Sequence, residues 1–227
     1  MKQKFTILFD LDGTLVDTAP DLMLAHNHVM RKFGYPTKST EDIRNLVGKG
    51  AGALIGRSIW GQAKKEFSKV LDDKIKDEMV KEFVNFYGKN IVNESTLITG
   101  VKNFLIWCKE QNISMAVCTN KQEHLSNDLL KKIGIYDFFE YVAGSDTFDY
   151  CKPDPRHLTN VVEILDGDLK KTIMIGDSET DANAGKAAEI PVILLENGYT
   201  EKNTTEIYHN HLIKDFTGIE KIIKKYL

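Results

Sequence analysis

Asp10 and Asp12, two carboxylates two residues apart, follow the apolar run Phe5-Thr6-Ile7-Leu8-Phe9 and precede Gly13-Thr14. The run has the length and the β-branched and aromatic content of a buried strand. Ending such a strand on two aspartates is costly in a plain core, because neighbouring carboxylates repel each other and lose hydration. The cost is reasonable where carboxylates attack, move protons or hold a cation. Such a pair needs partners: positive charge nearby, and groups able to hold a reacting anion.

The later apolar runs supply both kinds. Ile113 to Cys118, Phe139 to Ala143, Thr172 to Ile175 and Pro191 to Leu195 read as further strands, with a short one near His211-Leu212-Ile213. Ligands of open parallel sheets sit at the carboxyl ends of the strands. Past those ends stand Thr119-Asn120-Lys121, then Cys151-Lys152-Pro153-Asp154-Pro155, then Gly176-Asp177-Ser178-Glu179-Thr180-Asp181. Close carboxylates call for a cation, and hard oxygen ligands suit a magnesium ion, Mg2+. A hydroxyl, backbone N–H groups and an ammonium suit phosphate oxygens. The set describes phosphoryl transfer assisted by magnesium.

Helical patterns must position these ends. Thr18-Ala19-Pro20 predicts a helix start with Thr18 as cap, and Leu22, Ala25, Val29 and Phe33 recur at helical spacing up to Gly34. Ser39 to Asp42 has capping-box character. A flexible Gly48-Lys49-Gly50-Ala51-Gly52 stretch precedes a helix from Ala53 to Trp60. Phe67, Val70, Leu71, Ile75, Met79, Phe83 and Phe86 mark one or two more, interrupted near Leu71-Asp72-Asp73. Residues 18–90 are thus expected to be helical without a strand. Beyond them, helices over Gly100 to Glu110, Leu125 to Ile133, Pro153 to Leu165, Thr180 to Ala188 and a final one through Ile219 alternate with the strands. The expectation is an α/β fold: a doubly wound, mostly parallel Rossmann-like sheet covered on both faces. Its core would take residues 1–17 and 91–227, and a small all-helical cap domain, 18–90, would be inserted after the first strand.

Bulk properties narrow the class. The 227 residues are 42% hydrophobic and 28% charged, and the net charge of −3 gives no reason to expect nucleic acid or an anionic membrane as partner. No apolar stretch approaches the roughly 18 residues of a membrane span. The N-terminal apolar run is cut by Asp10, so it is not a signal peptide. Three scattered cysteines with no C-x-x-C fit a reducing cytoplasm and apolar filler. Gly48-Lys49-Gly50 does not match a P-loop. His26, His28, His209 and His211 have no metal-ligand companions in sequence, and Trp60 and Trp107 read as packing residues.

Asp10-Leu11-Asp12-Gly13-Thr14, Thr119-Asn120, Lys152-Pro153 and Gly176-Asp177-Ser178-Glu179-Thr180-Asp181 occur in the order of the four motifs of the haloacid dehalogenase superfamily, which the chain resembles over nearly its whole length. Within it, Leu46-Val47-Gly48-Lys49-Gly50-Ala51, Cys118-Thr119-Asn120-Lys121 and Lys152-Pro153-Asp154-Pro155 look most like phosphoglycolate phosphatases. The resemblance implies Asp10 as nucleophile and Asp12 as proton donor and acceptor. Mg2+ would be held by the Asp10 carboxylate, the Asp12 backbone carbonyl and Asp177. Lys152 would offset charge between nucleophile and phosphate, Thr119 with nearby backbone N–H groups would hold phosphate oxygens, Asn120 would position substrate or Asp12, and Asp181 would orient Lys152 or metal-bound water. Lys49 and Arg57 are candidates for gripping a substrate carboxylate. The partner implied is a small phosphorylated metabolite, and the protein a cytoplasmic monomer or homodimer. Rivals on the same fold hydrolyse pyrophosphate, nucleotides or sugar phosphates, or transfer phosphate within a hexose phosphate; a phosphonate hydrolase would need Lys49 to form an imine. A dehalogenase lacks the second aspartate. Outside the enzymes, a phospho-aspartate signalling domain or a silent binding protein would use similar groups.

Overall fold

The computed structural model describes residues 3–66 and 73–227, with side chains over 3–59 and 74–227. Phe67, Val70, Leu71, the Leu71-Asp72 part of the expected interruption at Leu71-Asp72-Asp73 and the Trp60 side chain lie outside the described residues, and Asp73 begins a helix. In chain order, β1 (Thr6–Phe9) and β2 (Val16–Asp17) precede four helices: α1 (Ala19–Phe33), α2 (Thr40–Arg44), α3 (Ala51–Glu66) and α4 (Asp73–Lys89). Then come β3 (Thr96–Leu97), α5 (Val101–Glu110), β4 (Ser114–Cys118), α6 (Glu123–Lys132) and β5 (Tyr141–Ala143). The chain continues with α7 (Arg156–Ile164), β6 (Thr172–Gly176), α8 (Glu179–Ala187), β7 (Val192–Leu195), β8 (His211–Ile213) and α9 (Glu220–Ile223).

Six strands form one parallel sheet in the order β5-β4-β1-β6-β7-β8. β1 lies in the middle because its residues are apolar on both faces. Ile7 and Phe9 point to one side, with Met115, Val117, Ile173 and Ile175; Leu8 points to the other, with Ala116 and Met174. The first side is covered by Phe104, Leu129 and Phe216, the second by Leu158, Val161 and Ala184. Alternation of period two therefore fills two cores at once. Each fully buried side chain of this size contributes roughly 1.5–3 kcal/mol. Phe9 meets Phe104 and Phe139 edge-on, and its truncation to alanine should cost about 3–5 kcal/mol.

The register brings the strand ends level. Phe9 pairs with Val117 on one side and Ile175 on the other. The residues that follow, Asp10, Cys118-Thr119 and Gly176-Asp177, leave the sheet together. The Asp10 N–H still donates to Ile175 O at 2.9 Å, and the Thr119 N–H to Ala143 O at 2.9 Å.

α1 to α4 run consecutively and pack on one another, α1 against α2 and α4, and α3 against α4. Leu22, Ala25 and Val29 of α1 are buried with Leu54 and Ile55 of α3 and Met79, Phe83 and Tyr87 of α4. Gly34 ends α1 in the left-handed region (φ +77°), and Ser39 with Asp42 closes a capping box on α2. Three details differ from expectation. Thr18 makes no capping hydrogen bond; its hydroxyl is committed to Asp12. Ile75 is 41% exposed and outside the buried stripe. The helical segment is also bracketed by a two-stranded antiparallel ribbon, with β2 residue Val16 opposite Leu97 and Asp17 opposite Thr96 of β3. Strands of two residues carry no periodic signal. Buried Asp21 secures this return by accepting from the N–H groups of Asn93, Glu94 and Ser95 and from the Ser95 hydroxyl at 2.6 Å.

The cysteines are all free thiols, and burial pushes Cys118 up to about 12, as suits filler. His26 bonds Ser58 at 2.9 Å, His28 bonds Glu82 at 2.7 Å, and Trp107 stacks on Phe104.

Candidate functional site

Asp10 leaves the central strand into a pocket of fixed charges. Lys152 Nζ lies 2.7 Å from Asp10 Oδ1 and 2.5 Å from Asp181 Oδ1. Asp177, just past β6, completes a cluster in which one carboxylate oxygen of each of Asp10, Asp177 and Asp181 lies within 4.8 Å of the others. All four side chains are buried. Burial pushes Asp10 up to about 6; Lys152 pulls it down and Asp181 pushes it up again. Burial holds Asp177 well above the carboxylate range, with Asp10 and Asp181 adding to it. Burial works against charge on Lys152, yet Asp10 and Asp181 together raise it above the usual lysine value.

Three carboxylates share one ammonium, so the ionised cluster carries two uncompensated negative charges inside the protein. That is a strong reason to take up a divalent cation. The oxygens are not equally available. Asp181 spends Oδ1 on Lys152 and Oδ2 on the Asp177 and Ser178 N–H groups and the Ser178 hydroxyl, capping α8. Among the described residues, Asp10 Oδ2 accepts no hydrogen bond. Asp177 is held by the Tyr199 N–H at 2.6 Å and, more weakly, by the Thr14 hydroxyl at 3.3 Å. Asp10 and Asp177 therefore fit a hard cation as ligands, and Asp181 fits as the residue that orients Lys152.

The turn after β1 is shaped to admit Asp177. Gly13 has φ +82°, and a Cβ there would sit 2.2 Å from Asp177 Oδ2. Only glycine meets both conditions.

Asp12 stands apart from the cluster. Lys121 Nζ contacts both its oxygens, at 2.7 and 2.8 Å, and the Thr18 hydroxyl donates to Oδ1 at 2.7 Å. The ammonium also lies 4.6 Å from the centre of the Tyr87 ring. Lys121 is a residue of this cavity to which the sequence assigned no role. Its place next to Thr119-Asn120 at a strand end was the available signal.

Asp10, Asp12, Thr119, Asn120 and Lys121 line one cavity of about 270 Å³, whose remaining wall is largely apolar, from Leu22, Val47, Leu54 and Phe83 among others. Thr119 Oγ1 accepts from the Lys121 N–H at 3.2 Å. The Asn120 side-chain amide goes to the backbone, donating to Lys152 O at 2.9 Å and Gly48 O at 3.1 Å. It thus ties the loop before α3 to the loop that carries Lys152, and among the described residues it makes no hydrogen bond to Asp12. Gly48 and Gly50 both have positive φ, which fixes that loop's path over Asn120. Lys49 lines the cavity from an exposed position. Arg57 does not line it: its guanidinium donates to Leu46 O, Asn45 O and Glu201.

The description haloacid dehalogenase-like hydrolase belongs to the family model that matches residues 7–195, a span that includes all these groups but Tyr199 and Glu201. The chain belongs to this family. As a haloacid dehalogenase-like hydrolase it has close curated relatives. A phosphoglycolate phosphatase of Mesorhizobium japonicum is 36% identical over 213 residues, covering 94% of this chain and 92% of that protein. Another, of Caulobacter vibrioides, is 37% identical over 216 residues, covering 95% and 89%. The crystal structure of a predicted phosphoglycolate phosphatase from Haemophilus somnus 129PT superposes with a TM-score of 0.90 at 30% identity, over 98% of this chain and 99% of that one. The six-stranded α/β architecture is the family's.

Proposed function

We propose that this hydrolase is a magnesium-dependent phosphatase of small phosphomonoesters, with 2-phosphoglycolate as its substrate and glycolate and phosphate as products. The observation that carries the reading is the pairing at the end of β1. Asp10 has one oxygen on Lys152 and the other, among the described residues, accepting no hydrogen bond, and Asp12 faces the same cavity two residues on. The names of the curated relatives support the choice of substrate.

In the mechanism, Asp10 attacks phosphorus and the phosphorus–oxygen ester bond breaks. The electron pair leaves on the alkoxide oxygen, which takes a proton from Asp12. Water then attacks the aspartyl-phosphate, Asp12 takes the proton of that water, and the Asp10 carboxylate is released with phosphate. Lys152 lowers the repulsion between carboxylate and phosphate dianion, and Thr119 with nearby backbone N–H groups holds phosphate oxygens. Mg2+ bound by Asp10 and Asp177 would neutralise phosphate charge and fix its orientation. Proton transfer supplies only about 10²–10⁴ of a rate enhancement that reaches ~10²¹ for such esters, so covalent attack, positioning and charge neutralisation must supply the rest.

Helices α1 to α4 act in this reading as a cap over the site, closing to exclude water. Among the described residues no helix is long and apolar enough to cross a membrane, and a cytoplasmic location suits the free thiols.

The test is a turnover panel of 2-phosphoglycolate, pyrophosphate, nucleoside monophosphates and sugar phosphates, each with and without Mg2+. Turnover led by 2-phosphoglycolate and abolished in a folded Asp10→Asn variant is expected. Normal activity of that variant, or no turnover of any ester, would sink the proposal.

A further inference from the structure

Lys121 is a buried ammonium with its own aromatic platform, only 8% exposed, inside the cavity that holds Asp10 and Asp12. A lysine is costly to bury, and it gains here from the Asp12 carboxylate and the Tyr87 face. Its position matters more than its partners. An in-line attack by Asp10 expels the leaving oxygen on the far side of phosphorus, where Asp12 must reach it with a proton. Lys121 Nζ is within 2.8 Å of both Asp12 oxygens. A group bound to Lys121 would therefore stand beside the Asp12 carboxylate, on the side of the cavity where the leaving oxygen must take its proton.

The other cations of the site are accounted for. Lys152 is held between Asp10 and Asp181, and Arg57 is engaged with Glu201 and backbone carbonyls outside the cavity. Lys49 reaches the cavity from an exposed loop, where a charge pair is weak. Much of the remaining wall is apolar, so among the described residues that line the cavity an anionic tail would find one buried cation, Lys121.

We infer that Lys121 is the specificity-determining residue for the leaving-group half of the substrate. It exchanges an Asp12 oxygen for a carboxylate carried on the carbon that bears the ester oxygen. The exchange selects phosphate esters of 2-hydroxy acids and, in the same movement, withdraws the ammonium from the oxygen that must deliver the proton. This rests on the phosphatase reading above and adds to it the residue that reads the acid.

The experiment compares kcat/KM for 2-phosphoglycolate and for ethyl phosphate, which lacks the carboxylate, in wild type, Lys121→Met and Lys49→Met. Wild type should prefer phosphoglycolate, and Lys121→Met should cut that preference by roughly 10- to 100-fold, the scale of a lost charge-assisted hydrogen bond. The loss should appear in KM for phosphoglycolate more than in KM for ethyl phosphate, which an effect on Asp12 alone would not produce. Glycolate should inhibit wild type more strongly than it inhibits Lys121→Met. A preference that survives in Lys121→Met, or collapses in Lys49→Met instead, overturns the inference. A wild type that hydrolyses phosphomonoesters with no preference for the acid refutes the choice of substrate, and a wild type inert to both esters and to the whole panel above refutes the phosphatase reading. Lys49 is on an exposed loop, so its variant decides the matter even where Lys121→Met does not fold.

Discussion

Tyr199 holds Asp177 by its backbone, the N–H donating to Oδ2 at 2.6 Å. The other end of the same residue reaches the start of the helical segment: its hydroxyl is 2.5 Å from Asp17 Oδ1 and accepts from the Ala19 N–H at 2.9 Å. Asp17 is paired in turn with Arg44 at 2.7 Å, and the Arg44 guanidinium lies over the Tyr199 ring. One residue thus ties a candidate cation ligand to the entry of α1. Tyr199→Phe removes the hydroxyl and spares the backbone bond. It should cost about 1–2 kcal/mol of stability, because the Ala19 N–H loses its acceptor. Mg2+ affinity should change little. Urea melts and calorimetric titration check both; a large loss of Mg2+ affinity would show that the hydroxyl, and not the backbone, places Asp177.

Gly13 and Gly34 make a matched pair. Both have positive φ, +82° and +77°, but a Cβ on Gly13 would strike Asp177 Oδ2 while one on Gly34 meets nothing within 4 Å. Gly34→Ala should cost only the left-handed backbone strain, about 1–2 kcal/mol, and leave activity alone. Gly13→Ala adds displacement of Asp177, so turnover should fall by about two orders of magnitude or more. Equal effects of the two changes on kcat would show that Asp177 can yield without consequence.

Much of this was legible in the sequence because the signals are local. The apolar runs that became β1, β4, β6 and β7 are continuous, and the residues after them are the ones the register brings level. Asp10, Lys152, Asp177 and Asp181 meet because parallel strands end together, which follows from alternation with helices. Lys121 escaped because its partner Asp12 is 109 positions away and a strand-end lysine has no periodic mark. Arg57 was over-read for the mirror reason: it lies in the right segment, but the turn of α3 gives its guanidinium to Glu201. Thr18 read as a helix cap because threonine is a favoured N-cap residue and Pro20 suits the first turn, and tertiary contact with Asp12 took the hydroxyl instead.

Lys152 is the sole ammonium in contact with Asp10 and Asp181 among the described residues. Lys152→Met would leave the buried carboxylates without it, a change that typically costs 3–5 kcal/mol. Turnover should fall below detection, and added Mg2+ should recover more stability in the variant than in wild type, because the ion takes over part of the missing charge. Thermal melts with and without Mg2+ measure this. A variant as stable as wild type in the absence of metal would show that the cluster takes up protons in place of the lysine.

The same cluster sets a pH dependence whose sign can be worked out. An unfolded aspartate titrates near 3.8, whereas burial, only partly opposed by Lys152, raises Asp10 to about 6 in the native protein, and burial with two neighbouring carboxylates holds Asp177 well above 3.8. Between 3.8 and 6 the native state binds more protons than the unfolded state, so these groups favour folding at low pH and lose that contribution as pH rises through about 6. Metal-free protein should therefore lose stability from these groups on going from about pH 5 to about pH 7.5. A divalent cation competes with those protons and binds the ionised carboxylates. The rise in Tm produced by saturating Mg2+ over chelator should then be larger at about pH 7.5 than at about pH 5. In Asp177→Asn, with one titrating ligand removed, the difference between the two pH values should shrink. The same Mg2+ shift at both pH values in wild type would mean that the ion is not held by Asp10 and Asp177.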